Sequence, residues 1–435
     1  MIHDPVTIGI IGTILLFLLL FMGMPIAFAL FLVGGGGIAY LASFEAAMPV
    51  MASTLYEVAA FYPYIVIPLF IVMGGFAGSS GMTRDLYTMF EKWLRRLPGG
   101  LGIATIAACG GFAAVSGSSV ATAAAMGTVA YPEMEHFDYD PRLSTGSIAA
   151  GGTLGFLIPP SIGFIVYGML TEQSIGKLLI AGVVPGFLLT LAYILIIILL
   201  VHTRPSLAPV SAEAAPWREK WRALYRVWEP LVVFLTVIGG IYLGIFTPTE
   251  AGAIGATILF GFALFKGKVS RANLLEALYN TTRISVMVLL LVAGANVFSY
   301  FLALTTIPMQ AASWAANLET SPYVILTLFI LMYLFLGCFL DAISMMVLTM
   351  PVIYPVILEL HFDPIWFGVL AVLMMEAGLI TPPMGLNIFT VAGVAPEVPI
   401  VTIFRGVMPF LISIFLIVLL IVLFPGLVLF LPGAM

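Results

Sequence analysis

One pattern constrains this chain more than any other: the Pro/Gly punctuation between Ser116 and Ser161 returns in the second half at a constant offset of 223 residues. Tyr131-Pro132 returns as Tyr354-Pro355, Asp140-Pro141 as Asp363-Pro364, Gly155 as Gly378, and Pro159-Pro160 as Pro382-Pro383. Pro25 and Phe112 return as Pro248 and Phe335, and a one-residue slip takes Pro185 to Pro409. Five of the 11 prolines before residue 190 match at this single offset, where composition alone gives about one match. Whatever this chain folds into, it must build it twice.

The medium is set by composition. With 62% hydrophobic and 9% charged residues, the chain has too little polar surface to face water, so it is a polytopic membrane protein. Its apolar stretches are continuous rather than alternating, which selects helices over a β-barrel, since lipid leaves no backbone group unpaired. The segment from Val6 to Met22 has no preceding Lys or Arg and no small-residue cleavage pattern, so it reads as a retained span. Cys109 and Cys338 lie in apolar surroundings and read as reduced, small hydrophobes. The histidines are scattered, and no His/Cys/carboxylate cluster has metal-ligand spacing.

Spans are expected near 6–22, 25–43 and 52–79, followed by a charged stretch from Arg84 to Arg96. The apolar segment 101–131 is split by Ser116-Gly117-Ser118-Ser119 into two arms too short to cross the hydrocarbon, which predicts a re-entrant hairpin. A Pro-interrupted span (142–170) and a plain one (178–201) complete a first repeat, residues 1–201. The second, 230–435, follows the same plan: spans near 230–246, 251–265 and 284–304, a hairpin at 323–355, a broken helix at 364–392, and a last span near 406–430. Five crossings per repeat is an odd number, so the second repeat is inverted in the membrane. With both termini outside, 15 of the 16 Lys and Arg residues fall on cytoplasmic loops and only Lys177 falls outside, as the positive-inside rule requires.

Between the repeats, 202–229 reads as a Pro/Ala/Ser linker and then an amphipathic helix. There Trp217, Trp221, Tyr225 and Trp228 recur at helical spacing against Arg218, Lys220, Arg222 and Arg226, as in an interfacial anchor. A weaker candidate of the same kind runs from Ser270 to Arg283.

Two hairpin tips and two helix breaks place backbone ends inside the membrane, where carbonyls at C-termini attract cations and N–H groups at N-termini attract carboxylates. Discontinuous helices in inverted repeats are the recurring construction of secondary transporters. Ser116, Ser118 and Ser119 supply oxygens at the first tip, and Gly337 and Asp341 occupy the second. The offset pairs Ser118 with Asp341, each a good helix N-cap. Such caps are as consistent with a structural role as with contact to an ion, but a carboxylate at membrane depth points to function. Proline lacks the N–H that would take the carbonyl four residues earlier, so carbonyls near Gly155 to Ile158 and Gly378 to Thr381 are freed for a hard cation. Thr122, Thr153, Asp341, Asn387 and Thr390 are the polar side chains placed to meet a substrate. Glu250 and Glu376 are apolar-flanked carboxylates that fit a structural role equally.

Ser116-Gly-Ser-Ser-Val-Ala-Thr122, Tyr-Pro-Glu-Met134, Gly152-Thr-Leu-Gly155 running into Ile158-Pro-Pro-Ser161, and Thr381-Pro-Pro-Met-Gly-Leu-Asn387 resemble the large membrane subunit of a TRAP (tripartite ATP-independent periplasmic) transporter. The resemblance covers essentially the whole chain. It implies an all-α elevator-type importer of organic anions in a bacterial or archaeal inner membrane, coupled to Na⁺, with no other cofactor. It also implies a small four-helix membrane subunit, a soluble periplasmic substrate-binding protein and no nucleic acid among its partners. The small subunit is expected as a separate chain. Carried over by motif, one Na⁺ site takes Ser116, Ser118, Ser119, Gly155, Ile158 and Pro160, and the other takes Gly337, Gly378, Thr381 and Met384. The alternative is a self-sufficient Na⁺-coupled dicarboxylate or anion transporter of similar hairpin architecture, without a binding protein. An intramembrane enzyme would need a His-Glu-x-x-His helix or a paired aspartate motif, and neither is present.

Overall fold

Apolar runs punctuated by proline, glycine and Asp/Ser caps dictate a succession of helices, and the computed structural model, which describes residues 4–209, 215–318 and 320–435, contains only helices as regular elements among those residues. The first half comprises α1 (Pro5–Phe21), α2 (Ile26–Leu41), α3 (Phe44–Ala60), α4 (Val66–Ser79), α5 (Met82–Leu94), α6 (Gly100–Ser116), α7 (Ser119–His136), α8 (Pro141–Leu157), α9 (Ile162–Thr171), α10 (Ile175–Ala181) and α11 (Val183–Thr203). A connector follows, of which residues 210–214 lie outside the described residues. Then come α12 (Trp217–Arg226), α13 (Trp228–Tyr242), α14 (Pro248–Phe265), α15 (Arg271–Thr305), α16 (Ile307–Asn317), α17 (Pro322–Gly337), α18 (Ala342–Glu359), α19 (Pro364–Leu379), α20 (Leu386–Val394), α21 (Ile400–Leu423) and α22 (Gly426–Leu429). Seven helical stretches are long and apolar enough to cross a membrane, or eight if α8 and α9, bent by 41° at their break, count as one.

Shifted by 223 residues, α1 and α2 fall on α13 and α14, α5 to α9 on α16 to α20, and α10 with α11 on α21, with ends agreeing to within three residues. The turns recur as well. Asp138 and His361, also 223 apart, both take positive φ, at 54° and 57°. Behind them Tyr139 N–H donates to the Met134 carbonyl at 3.0 Å and Phe362 N–H to that of Ile357 at 3.1 Å, so each hairpin ends in the same left-handed cap. Asp140 and Asp363 then cap the next helix, each followed by proline at the first helical position, where the lost N–H costs nothing.

The third span departs from expectation. The window 52–79 is broken at Phe61–Ile65, where a 3₁₀ turn carries Pro63, and α3 ends at Ala60. Hydropathy reads through this proline, but it lacks the N–H that would continue α3, and the chain turns extended at Phe61, with φ −76° and ψ 110°, before a new helical stretch starts at Tyr62. Its counterpart contains no proline and runs as the 35-residue α15, which absorbs the segment Ser270 to Arg283 that had suggested a separate interfacial helix.

Helices α8 and α19 form the centre: every residue from Leu143 to Leu157 and from Trp366 to Leu379 is buried. A helix enclosed all round needs neighbours on every side, and α6, α7 and α21 supply them for α8, while α17, α18 and α21 do so for α19. The halves are tied directly, since the Tyr167 hydroxyl donates to the Pro364 carbonyl at 2.7 Å. The periphery instead exposes apolar side chains such as Ile14, Leu18, Leu195, Leu199, Leu416 and Leu419, a surface suited to lipid. The amphipathic α12 lies on α5, with Trp93 edge-on to Trp217 and Trp221 at 6.2 and 6.0 Å and its indole N–H on the Lys220 carbonyl at 3.2 Å.

Lys266, at the end of α14, reaches Glu229 at 2.8 Å and Asp85 at 3.2 Å. Burial works against its charge, but the two carboxylates outweigh it and hold the ammonium above its ordinary range. Lys266→Met leaves the buried Glu229 carboxylate unpaired and is expected to cost about 2 kcal/mol, less than a fully buried pair because solvent reaches the lysine. Because the folded-state value is raised, the gap in unfolding midpoint between wild type and variant is fully present below about pH 10 and closes as pH rises further. Midpoints measured across that range check both statements.

Candidate functional site

Each half brings a hairpin tip against a helix break, backbone to backbone. At the first junction, α6 ends at Ser116, Gly117 turns at φ +65°, and Ser118 caps α7 through the Ala121 N–H at 3.4 Å. Ser116 Oγ and Thr122 Oγ1 lie 2.7 Å apart. The break of α8 and α9 closes over this tip: Ile162 N–H donates to the Gly117 carbonyl at 3.4 Å. Gly155 packs on the Ser118 carbonyl so closely that an added Cβ would run into it and into Thr122 Oγ1, at 2.5 Å. A Cβ on Gly117 would likewise meet the Pro160 carbonyl at 2.8 Å. The Ser118 carbonyl and Thr122 hydroxyl thus lie against Gly155 and the Pro160 carbonyl against Gly117, oxygens of the type a hard cation takes.

At the second junction, Gly337 and Gly378 meet, and a Cβ on either would fall 2.5 to 2.6 Å from the other's Cα. Asp341 caps α18, accepting from the N–H groups of Ile343 and Ser344, both at 3.1 Å, and from the Ser344 hydroxyl. The break here is tidier than proline chemistry alone implies: Thr381 N–H takes the Gly378 carbonyl at 3.0 Å, and Thr381 Oγ1 takes that of Ala377 at 2.6 Å. Met384 is exposed beside Gly385, whose φ of +55° starts α20. Both Pro-Pro bonds are cis.

Between the tips and the α4 and α15 helices lies an open cavity of about 800 Å³. Ser116, Ser118, Ser119 and Asp341 face it from the tips. From α15 come Asn273, Glu276 and Asn280, a polar stripe at helical spacing that sequence reasoning assigned to a membrane-surface helix and so missed. That spacing was the available signal.

Four of the proposed substrate contacts stand elsewhere, beginning with Thr122, which is fully buried with its hydroxyl on Ser116 Oγ. Thr153 is fully buried, with its hydroxyl shared between the Ala150 carbonyl and Tyr193 Oη, at 2.6 and 2.8 Å. Asn387 is fully buried against α8, its Nδ2 on the Ala149 carbonyl at 3.3 Å, and Thr390 returns its hydroxyl to its own helix at Leu386. In a helix, Ser and Thr hydroxyls commonly bond the preceding turn, which a sequence does not display. Glu250 belongs to a capping box with Thr247. Glu376, by contrast, reaches across the repeats to Ser119. Among the described residues, no three His, Cys, Asp or Glu side chains cluster as metal ligands.

Asp341 gives a local test. If its part is to cap α18, Asp341→Ala lowers stability by about 1 kcal/mol while Asp341→Asn, also a good cap, changes it little. Unfolding midpoints of the two variants check this, and a loss of uptake with Asp341→Asn would mark a further role for the charge.

A family model described as the DctM component of tripartite ATP-independent periplasmic transporters matches residues 13–427. The C4-dicarboxylate TRAP transporter large permease DctM of Pseudomonas aeruginosa is 36% identical over 388 residues, covering 88% of this chain and 89% of that one. The sialic acid TRAP transporter large permease SiaM of Vibrio cholerae is 31% identical over 420 residues, covering 95% and 96%. In fold, the chain resembles the YdaH transporter of Alcanivorax borkumensis, with a TM-score of 0.64 over 90% of this chain and 88% of that one at 16% identity. A match of this extent, on a chain whose two tips close on two helix breaks, places it in the DctM family, the large permease component of TRAP transporters.

Proposed function

We propose that this permease imports an organic anion across the inner membrane by an elevator motion coupled to Na⁺, receiving the anion from a soluble periplasmic binding protein and working beside a small four-helix membrane subunit. The observation that carries this is the pair of junctions, Ser118 on Gly155 and Gly337 on Gly378, where a hairpin tip and a helix break meet backbone to backbone and the Ser118 carbonyl lies against Gly155. Na⁺ bound there would draw tip and break together. It would also help shape the cavity wall that the anion meets, since Ser118 and Ser119 belong to both.

The cavity suits an anion without a fixed cation. None of its lining residues is Lys or Arg, but the first turns of α7 and α18 open onto it, and helix N-termini favour negative charge. Relatives named for C4-dicarboxylate and for sialic acid suggest a carboxylate-bearing solute. The stripe Asn273, Glu276 and Asn280 lies between Arg271 and Arg283, on the face the positive-inside rule assigns to the cytoplasm, so the cavity corresponds to an inward-open state. In the elevator, the hairpins and broken helices move and the remaining spans with α12 stay fixed.

The experiment is uptake into proteoliposomes of a labelled C4-dicarboxylate or sialic acid, with this chain, its small subunit and a cognate binding protein. Uptake is expected only with all three components and an inward Na⁺ gradient. Uptake by this chain alone would favour the self-sufficient transporter, and uptake unchanged when K⁺ replaces Na⁺ would end the coupling proposal.

A further inference from the structure

The contact between Ser119 and Glu376 joins the hairpin of one half to the broken helix of the other, at a point where charge is expensive. Glu376 is completely enclosed, on a helix whose flanking residues Met374, Met375 and Ala377 are also buried. One carboxylate oxygen, Oε2, accepts the Ser119 hydroxyl at 2.7 Å, while Oε1 has no partner. Asn387, in the first turn of α20, is enclosed to the same degree. Its Nδ2 donates to the Ala149 carbonyl at 3.3 Å, and its Oδ1 has no partner. Asn387 and Ser119, the partner of Glu376, abut one small patch: a Cβ on Gly152 would stand 3.1 Å from the Ser119 carbonyl and 3.2 Å from Asn387 Nδ2.

A buried carboxylate is costly unless something positive or a hydrogen-bond donor matches each oxygen. Among the described residues no Lys or Arg pairs with Glu376. Two orphaned acceptors cannot satisfy each other, since neither has a hydrogen to give. A small positive charge held beside Ser119 would offer each the partner it lacks. The donor atoms at hand, a carboxylate, a hydroxyl, an amide oxygen and the Ser119 carbonyl, are all oxygens and exclude a soft metal. The ionisable side chain beside Glu376 is Tyr193 on α11, whose hydroxyl is engaged by Thr153 at 2.8 Å. On α7, α8 and α20 the residues at this contact are Ser119, Gly152 and Asn387.

We propose that Glu376, Ser119 and Asn387 form a binding site for one small monovalent cation, Na⁺ or a proton, sharing Ser119 with the first tip and distinct from the junctions at Gly155 and Gly378. The site bridges the two repeats, so filling it locks the first hairpin onto the second broken helix. It deepens the transport proposal, although its occupancy is a property of the folded chain and can be read without transport.

The test is thermal unfolding of the purified permease in detergent, with NaCl exchanged stepwise for choline chloride at two pH values on either side of neutrality. If the site takes Na⁺, Glu376→Gln weakens the apparent Na⁺ affinity read from the midpoints by about ten- to hundredfold. If it takes a proton, the wild type in choline loses stability as pH rises, the Glu376→Gln variant does not, and Na⁺ dependence is unchanged. Asn387→Leu, which keeps the carboxylate and removes the second orphaned oxygen, shifts whichever dependence applies in the same direction by a smaller factor and decides the matter if Glu376→Gln does not fold. Folded variants with wild-type Na⁺ and pH dependence would overturn the proposal. Because the readout is unfolding, this result is independent of whether the three-component uptake assay succeeds.

Discussion

Gly155→Ala and Gly378→Ala are each expected to lower Na⁺-driven uptake by about a hundredfold while leaving a folded protein. Helix propensity predicts the opposite of harm, since alanine is favoured over glycine inside a helix by about 1 kcal/mol. Contact decides otherwise. A Cβ on Gly155 collides with the Ser118 carbonyl and comes within 2.5 Å of Thr122 Oγ1, and one on Gly378 comes within 2.5 Å of the Gly337 Cα. Backbone atoms cannot rotate aside as a side chain can, so the tip itself must move by about 1 Å, enough at a reacting or binding centre to cost about two orders of magnitude. The tips are turns rather than packed helices and can shift without unfolding the bundle. Gly36→Ala, where an added Cβ meets nothing within 4 Å, is the control and should keep wild-type uptake. The check is initial uptake rate against Na⁺ concentration, with the amount of folded permease measured in parallel.

The second large effect falls on folding rather than uptake. Helices α8 and α21 cross at Gly146 and Gly406, where a Cβ on Gly146 would stand 2.5 Å from the Gly406 carbonyl oxygen and one on Gly406 would run into the Arg142 carbonyl. Here the obstacle is the backbone of two continuous helices near their N-terminal ends, and no hairpin turn can yield. Gly406→Val forces the helices apart at the edge of the most buried part of the molecule and is expected to destabilise it by about 3 kcal/mol, the upper range for overpacking. The yield of monodisperse protein and its unfolding midpoint read this directly, and a variant as stable as wild type would mean that the crossing is looser than the contact implies.

Much of this architecture was legible because proline, glycine and Asp-Pro act locally. Ser116-Gly117-Ser118 and the two Pro-Pro pairs announce their turns without reference to anything distant, and α7 and α18 begin and end at equivalent positions. The break at Phe61–Ile65 was missed because a single proline in an apolar window is tolerated in many membrane helices, and only the neighbours decide whether the chain bends there. At the site, α6 and α17 end at Ser116 and Gly337 and α8 and α19 at Leu157 and Leu379, within stretches whose Gly and Pro stand out in the sequence, whereas the partners of individual hydroxyls do not. Thr153 faces Tyr193 and Thr390 faces its own helix, choices set by packing. Glu376 was visible as an apolar-flanked carboxylate. Its partner Ser119 lies 257 residues away, a separation that no local pattern encodes.

Everything proposed for transport requires the two halves to face opposite sides of the membrane, and one labelling measurement tests that. Ser174 and Glu397 are exposed, lie 223 residues apart at equivalent turns, and share the chain only with the buried Cys109 and Cys338 as native thiols. With an impermeant maleimide, Ser174→Cys is predicted to react in right-side-out vesicles and Glu397→Cys only in inside-out vesicles. Reaction of both from the same side would contradict the inverted arrangement, and with it the coupling mechanism built on it.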